Sequence, residues 1–168
     1  SDDVRVSLAL RPSYREDNDI PTWSRSLPGD YTKTGYDRGH VVPFYDMAST
    51  DRRRQQVMLM SNIMPQHPSI NRGAWSVLES QVRDCVRKHG EAYVATGVLF
   101  QPTLVTLTLT SKQQVPAALW KAVAFQHDGK WRSACFMAYN CQVGVGYRVP
   151  IVSRDYLERT IGIRLFNQ

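Results

Sequence analysis

An α+β domain is what this sequence predicts, and three observations carry the prediction. Apolar residues recur at spacings of three and four from Trp75 through Leu78, Val82, Cys85 and Val86, as on a helix that buries one face. From Ala92 to Tyr139 the text turns to short β-prone stretches separated by turn residues. The gap His127-Asp128-Gly129-Lys130 is hairpin-sized, which makes the strands on either side antiparallel neighbours. Strands grouped together, with helices beside them, give a mixed, mainly antiparallel sheet with flanking helices.

The whole chain sets the limits. Its 168 residues fit a single domain, 1–168, that buries one core without staples. No run of eighteen apolar residues is present to span a membrane, so a soluble protein with no membrane partner is expected. Ser1-Asp2-Asp3 is polar and acidic, the wrong chemistry for a secretory signal or transit peptide. A formal charge of +6 modestly favours polyanionic partners, and it is carried mainly by arginine, whose planar fork suits phosphate. Arg52, Arg53 and Arg54 are equally well read as a phosphate patch or as a solvated helix end. Cys85, Cys135 and Cys141 form no disulfide framework and no C-x-x-C pair; a Cys135–Cys141 bridge across a hairpin is the one pairing left open.

Taken in order, residues 4–10 alternate as a strand ended by Pro12. Residues 11–33, rich in Asp, Asn, Pro, Ser and Gly, read as irregular chain with turns at Pro21 and Pro28. Arg11, Arg15 and Arg25 in this loop are phosphate candidates, each with a surface ion pair as its blander use. Gly39 is expected to free the backbone and so expose His40, before a β-prone Val41-Val42 that Pro43 stops. Residues 46–60 read as a helix capped by Ser49 or Thr50, and 61–70, with two prolines, as a loop carrying Asn62, Gln66 and His67. A helix is then expected from Asn71 to about Lys88, closed by Gly90. On one continuous helix Asn71 lies within about 40° of the apolar line and points inward, with Glu79 about 12 Å further along the axis. Strands at 92–96 and 104–110 are expected to pair, followed by strands near Leu119 to Phe125 and Trp131 to Tyr139. Residues 143–152 read as a surface loop, and Ser153 as the cap of a last helix that ends at Gly162.

Three clusters carry chemistry: Asp37-Arg38-Gly39-His40, Asn62-Ile63-Met64-Pro65-Gln66, and Asn71-Arg72-Gly73-Ala74-Trp75 continuing to Glu79. A phosphodiester repels nucleophiles and has a poor leaving group. An imidazole can take a proton from water near neutral pH, which makes His40 the candidate general base. Mg2+ keeps several waters, so the amide oxygen of Asn71 is a sufficient protein anchor. Glu79 is too far along a straight helix to share that ion directly and is assigned to ordering metal-bound water or another side chain. Arg38 is a candidate to stabilise charge on phosphoryl oxygens. Singly, each residue has a structural reading that is more common.

Together the clusters closely resemble the DNA/RNA non-specific endonuclease family, which includes endonuclease G and the sugar-non-specific bacterial nucleases. The likeness continues through Tyr93-Val94-Ala95-Thr96-Gly97, Val115-Pro116 with Leu119-Trp120-Lys121, and Leu157-Glu158 with Gly162. It implies a ββα-metal (His-Me) finger, with His40 on its β portion and Asn71 on its helix. It implies His40 as general base and Asn71 as the direct protein ligand of Mg2+, with Mn2+ as a substitute. Arg38 and Asn62 would hold the site or the phosphate, Glu79 the outer role above, and Arg11 or Arg15 the part of an upstream phosphate-binding arginine, with Arg72 a further substrate contact. Such family domains generally begin earlier, so an N-terminal segment is expected to precede Ser1. The implied function is hydrolysis of DNA and RNA with little sequence preference, leaving 5′-phosphate ends, in a secreted, periplasmic or organellar setting; a homodimer and an inhibitor protein are partners to test. The alternatives are a catalytically silent nucleic-acid-binding module, and a toxin or effector nuclease held in check by an inhibitor.

Overall fold

The computed structural model describes residues 11–100, 108–110 and 113–166, so the strand expected at 4–10 lies outside the described residues. The chain divides into two compact units. One comprises described residues up to Pro65 together with those of Leu107–Val115, and the other Gln66–Thr106 with Pro116–Gln168.

In the first unit, strand β1 (Asp37–His40) pairs with β2 (Ile63–Gln66) as a two-stranded sheet. This corrects the loop expected at 61–70, where short 3-10 turns at Met60–Asn62 lead straight into β2. Pro65 is tolerated because a two-stranded sheet consists only of edges. Gly39 is a buried residue inside the strand β1 and not the special turn expected of it. The helix expected at 46–60 is shorter: a 3-10 turn at Phe44–Met47 precedes α1 (Asp51–Val57), whose Thr50 cap accepts from the Arg53 amide. Phe44, Ala48, Val57 and Met58 form one small core, and Tyr31, Met60 and Ile63 another; Tyr14 packs against both. A last pair, β4 (Thr108–Thr110) with β5 (Gln113–Gln114), is antiparallel.

The second unit is built on strand β6 (Ala118–His127). Residues Ala118 to Ala124 are buried without a break, which requires cover on both faces. β6 lies between β3 (Ala92–Leu99) and β7 (Lys130–Tyr139), and β8 (Ile151–Val152) completes the order β3-β6-β7-β8, every neighbour antiparallel. Most of the strand expected at 104–110 as the partner of 92–96 lies outside the described residues, and its described end, Thr108–Thr110, pairs with β5. β3 runs on to Leu99 and pairs along its length with β6, Ala92 opposite Phe125 and Leu99 opposite Ala118, because the most apolar strand takes the centre. The β6–β7 hairpin forms where expected, Asp128 and Gly129 supplying the two positive φ values, 51° and 70°, of a tight turn.

Helix α2 (Ser76–His89) covers one face, where Leu78 and Val82 meet Leu119, Val123 and Ala138. Helix α3 (Arg154–Ile161) covers the other, Leu157 packing with Trp120, Ala122 and Cys135. Ser153 caps α3 by accepting from the Tyr156 amide, and Gly162 closes it in the left-handed region at φ 72°. All three cysteines are free, Cys135 buried in the sheet and Cys141 exposed, so the bridge left open above is not made.

Gly97 lies inside β3. A Cβ there would come within 2.7 Å of the Trp120 ring, a buried side chain that cannot yield. Gly97→Ala should therefore lower stability by about 1–3 kcal/mol, the usual size of an overpacking cost, in urea unfolding. A change below about 0.5 kcal/mol would show that the ring can move aside.

Candidate active site

His40 ends β1 in an enclosed setting. Its Nε2 lies 3.4 Å from Met58 Sδ, and its ring centroid is 5.7 Å from that of Tyr14. Removal from water penalises the imidazolium, and the positive charge of Arg11 adds to this, so the His40 pKa falls from 6.5 to about 4. The ring is thus neutral across the physiological range and has a lone pair to accept a proton.

Arg11 and Arg15, which sequence could not tell apart, have different surroundings. Arg11 donates to the Tyr14 hydroxyl at 3.4 Å, its guanidinium stands 4.9 Å from the Phe44 ring centroid, and its charge is felt at His40. Arg15 instead runs through the backbone ladder, with its amide to Met58 O at 3.2 Å and its carbonyl accepting from Met60 N at 2.9 Å. Its charge is among those acting on Asp17, whose carboxyl is held low first by the Ser61 hydroxyl. Arg25 is spent on Glu16, Asn18 and the Ile20 carbonyl, the bland use considered for it. Arg54 pairs with Asp51 and donates to the Ala48 carbonyl, and Arg53 donates to Ser49, so those two members of the arginine run serve α1.

Arg38 and Asn62 are both committed to backbone. Arg38 donates from Nε and Nη2 to the Pro28 carbonyl at 3.2 and 2.8 Å, and its guanidinium lies 5.4 and 6.0 Å from the Tyr14 and Tyr31 ring centroids. Asn62 Oδ1 accepts from Val42 N at 2.9 Å while Nδ2 donates to the Val42 and Val57 carbonyls at 3.0 Å each. The Val41 amide donates to the Asn62 carbonyl at 2.9 Å. Residues 41 and 42 are therefore clamped directly after His40, which fixes how the imidazole leaves the strand.

The second unit presents Asn71. The continuous helix expected from 71 to 88 is not formed: Ile70–Trp75 is a wide helical turn with a break at Gly73 (φ −107°, ψ −113°), and α2 starts at Ser76. Angles and rises counted along a straight helix from Asn71 to Glu79 consequently do not apply. The turn is held at both ends by burial of Ile70 and Trp75, and by the His67 carbonyl accepting from the amides of Ile70 and Asn71 at 3.0 and 2.9 Å. His67 is itself fixed through its amide to Asn140 Oδ1 at 2.7 Å. Wide turns of this type are frequent at functional sites. Asn71 is half-buried, Arg72 exposed, and Glu79 half-buried in the first turn of α2.

Asn71 and Glu79 offer hard oxygen donors, and among the described residues no group of three or more His, Cys, Asp or Glu could cage an ion. That donor set fits Mg2+, which keeps most of its water, better than Zn2+ or Ca2+. One residue was missed from sequence. Tyr14 touches Arg11, Arg38 and His40, but an aromatic in a polar loop gave no periodic signal.

Comparison with known proteins shows the family and the fold. The sequence model described as DNA/RNA non-specific endonuclease matches residues 3–168. Nuclease C1 of Cunninghamella echinulata var. echinulata is 34% identical, over 92% of this chain and 66% of that protein. The mitochondrial nuclease EXOG of Danio rerio is 29% identical over 91% of this chain and 49% of its own length. Human mitochondrial endonuclease G is 34% identical over 53% of this chain and 30% of its own length. The chain thus spans two thirds or less of these relatives. A chain from the crystal structure of the EndoG/EndoGI complex superposes with a TM-score of 0.84 at 25% identity, covering 92% of this chain and 68% of that one. The α+β fold of the ββα-metal nuclease type is thereby established.

The His40 environment gives a direct expectation. Its imidazole should titrate near 4 in an NMR pH series of the free protein, and Arg11→Ala should raise that value, whereas Arg15→Ala should leave it unchanged. Because the unfolded chain takes up this proton near 6.5, His40 contributes stability above that pH that is lost as pH falls towards 4. A ring that titrates near 6.5 in the folded parent would mean that it is hydrated.

Proposed function

Since the chain belongs to the DNA/RNA non-specific endonuclease family, we propose that it hydrolyses phosphodiester bonds of DNA and RNA with little sequence preference and leaves 5′-phosphate ends. The observation that carries this reading is the neutral, enclosed imidazole of His40 beside the Arg11 cation. His40 takes a proton from the attacking water. Arg11 contacts the scissile phosphate and offsets its charge, and Arg72, exposed beside Asn71, is a further phosphate contact. Arg38 and Asn62 act on geometry: each holds backbone that frames His40. Asn71 would hold Mg2+ through its amide oxygen, with Glu79 ordering the surrounding water. When bound, the ion supplies charge neutralisation at the phosphate and stabilisation of the leaving oxygen. With phosphate contacts dominating base contacts, cleavage has little sequence preference.

A second reading is favoured by one observation, that a structural neighbour comes from a complex concerned with EndoG inhibition. On that reading this nuclease too is controlled by an inhibitor protein.

Supercoiled plasmid and single-stranded RNA should both be cleaved with Mg2+ and spared with EDTA. His40→Ala should lower the rate by about 10²–10⁴-fold, the usual worth of a general base, while DNA retention in a gel persists. Asn71→Ala should lose cleavage and recover part of it at high Mg2+. The acid limb of kcat/KM should fall well below pH 6.5, because His40 stays unprotonated down to about 4. Salt-sensitive DNA binding without cleavage by the parent would replace this reading with a silent binding module.

A further inference from the structure

Lys121 is only 1% exposed, in the middle of β6. Its side chain lies on the face that carries Leu119 and Val123, beneath α2, and its ammonium is 5.5 Å from the ring centroid of Trp75. Trp75 closes the wide turn that holds Asn71 and directly precedes α2. An aromatic face attracts an ammonium but does not replace water, so a lysine buried with its charge needs further acceptors, of which a carboxylate is the strongest.

The second unit has six carboxylate residues in its sequence: Glu79, Asp84, Glu91, Asp128, Asp155 and Glu158. Asp84 is exposed and paired with Arg87, Asp128 is exposed in the hairpin turn, and Glu91 and Asp155 are exposed. Glu158 is buried, but it belongs to α3 on the opposite face of the sheet, where it bonds Arg154 and the Leu165 amide. Glu79 remains. It is half-buried, it lies on the α2 side, and it stands four residues after Trp75, which puts the two side chains next to each other on the helix.

We propose that the buried Lys121 ammonium, held between the Trp75 ring and the Glu79 carboxylate, is a positioning residue that orients Glu79 towards the metal anchored at Asn71. The inference rests on the magnesium-nuclease reading above. It gives a reason for a charge inside an otherwise apolar strand, since a carboxylate that orders metal-bound water needs a fixed partner on its other side.

The test compares the parent with Lys121→Met, Lys121→Arg, Glu79→Gln and the double variant E79Q/K121M. Affinity for Mn2+ alone is read from the EPR signal of free ion, without substrate, and cleavage is measured beside it. Lys121→Met and Glu79→Gln should each weaken Mn2+ binding by about tenfold or more, the usual effect of losing such a supporting contact. The double variant should be no weaker than the worse single one, because Lys121 acts through Glu79. Lys121→Arg, which keeps the charge, should recover most of the affinity. Should Lys121→Met fail to fold, the double variant removes both charges together and is compared with Glu79→Gln, with equal Mn2+ affinity expected. Parent-like affinity in Lys121→Met, or losses that multiply in the double variant, would overturn the role of Lys121 alone. A parent that neither binds Mn2+ nor cleaves would overturn the magnesium-nuclease reading as well.

Discussion

Taking an imidazole out of water without charging it is the constraint on which the first unit depends. A protonated His40 would have to be compensated in a setting made of Met58 and Tyr14, with a cation already nearby. The neutral ring fits there with a thioether at one nitrogen. Everything adjacent is arranged to hold that enclosure shut. Tyr14 leans on both small cores, Arg38 ties β1 to the Pro28 carbonyl, and the Asn62 amide grips Val42 from both its donor and acceptor ends. None of these contacts needs a ligand, so the setting of His40 is organised by the chain itself.

The second unit solves a different problem, that of presenting a half-buried amide from a helix terminus. A regular helix begun at Asn71 would have carried that residue on its apolar line and buried it against the sheet. Gly73 interrupts the regular geometry, and Ile70 and Trp75 anchor the interruption on both sides. The break therefore has a function in the fold: it lets the apolar stripe of α2 pack on β6 from Leu78 onward while Asn71 stays half-buried. The small residue in the turn and the two large ones around it are one device.

What could be read in the sequence was what is decided locally. The β6–β7 hairpin follows from Asp128-Gly129, α3 from its Ser153 cap and Gly162 stop, and the end of α2 from Gly90 at φ 92°. Those signals act within a few residues and nothing distant overrides them. The failures were non-local. Residues 61–66 looked like a proline-broken loop because the partner that makes Ile63–Gln66 a strand is β1, more than twenty residues away. Among the site residues, resemblance supplied their identities but could not apportion work among the arginines, since Arg11, Arg15 and Arg38 differ only in what surrounds them. Lys121 stood in plain view as a single charge within Leu-Trp-Lys-Ala-Val-Ala-Phe, and only the burial of both faces of β6 shows that it has no route to solvent.

A base that titrates near 4 is always available but accepts a proton weakly, which would limit the proposed reaction if the value were fixed. It is not fixed, because both causes of the depression belong to the free protein. A phosphodiester bound against Arg11 neutralises the charge that disfavours the imidazolium and places a negative charge beside the ring, and each change raises its proton affinity. Burial, the larger cause, then works in the same direction, since it strengthens the attraction between imidazolium and phosphate by keeping water out. On the proposed reaction His40 therefore becomes a competent base at the moment when substrate arrives. The enclosure that keeps the resting ring neutral is also what makes it responsive to the anion.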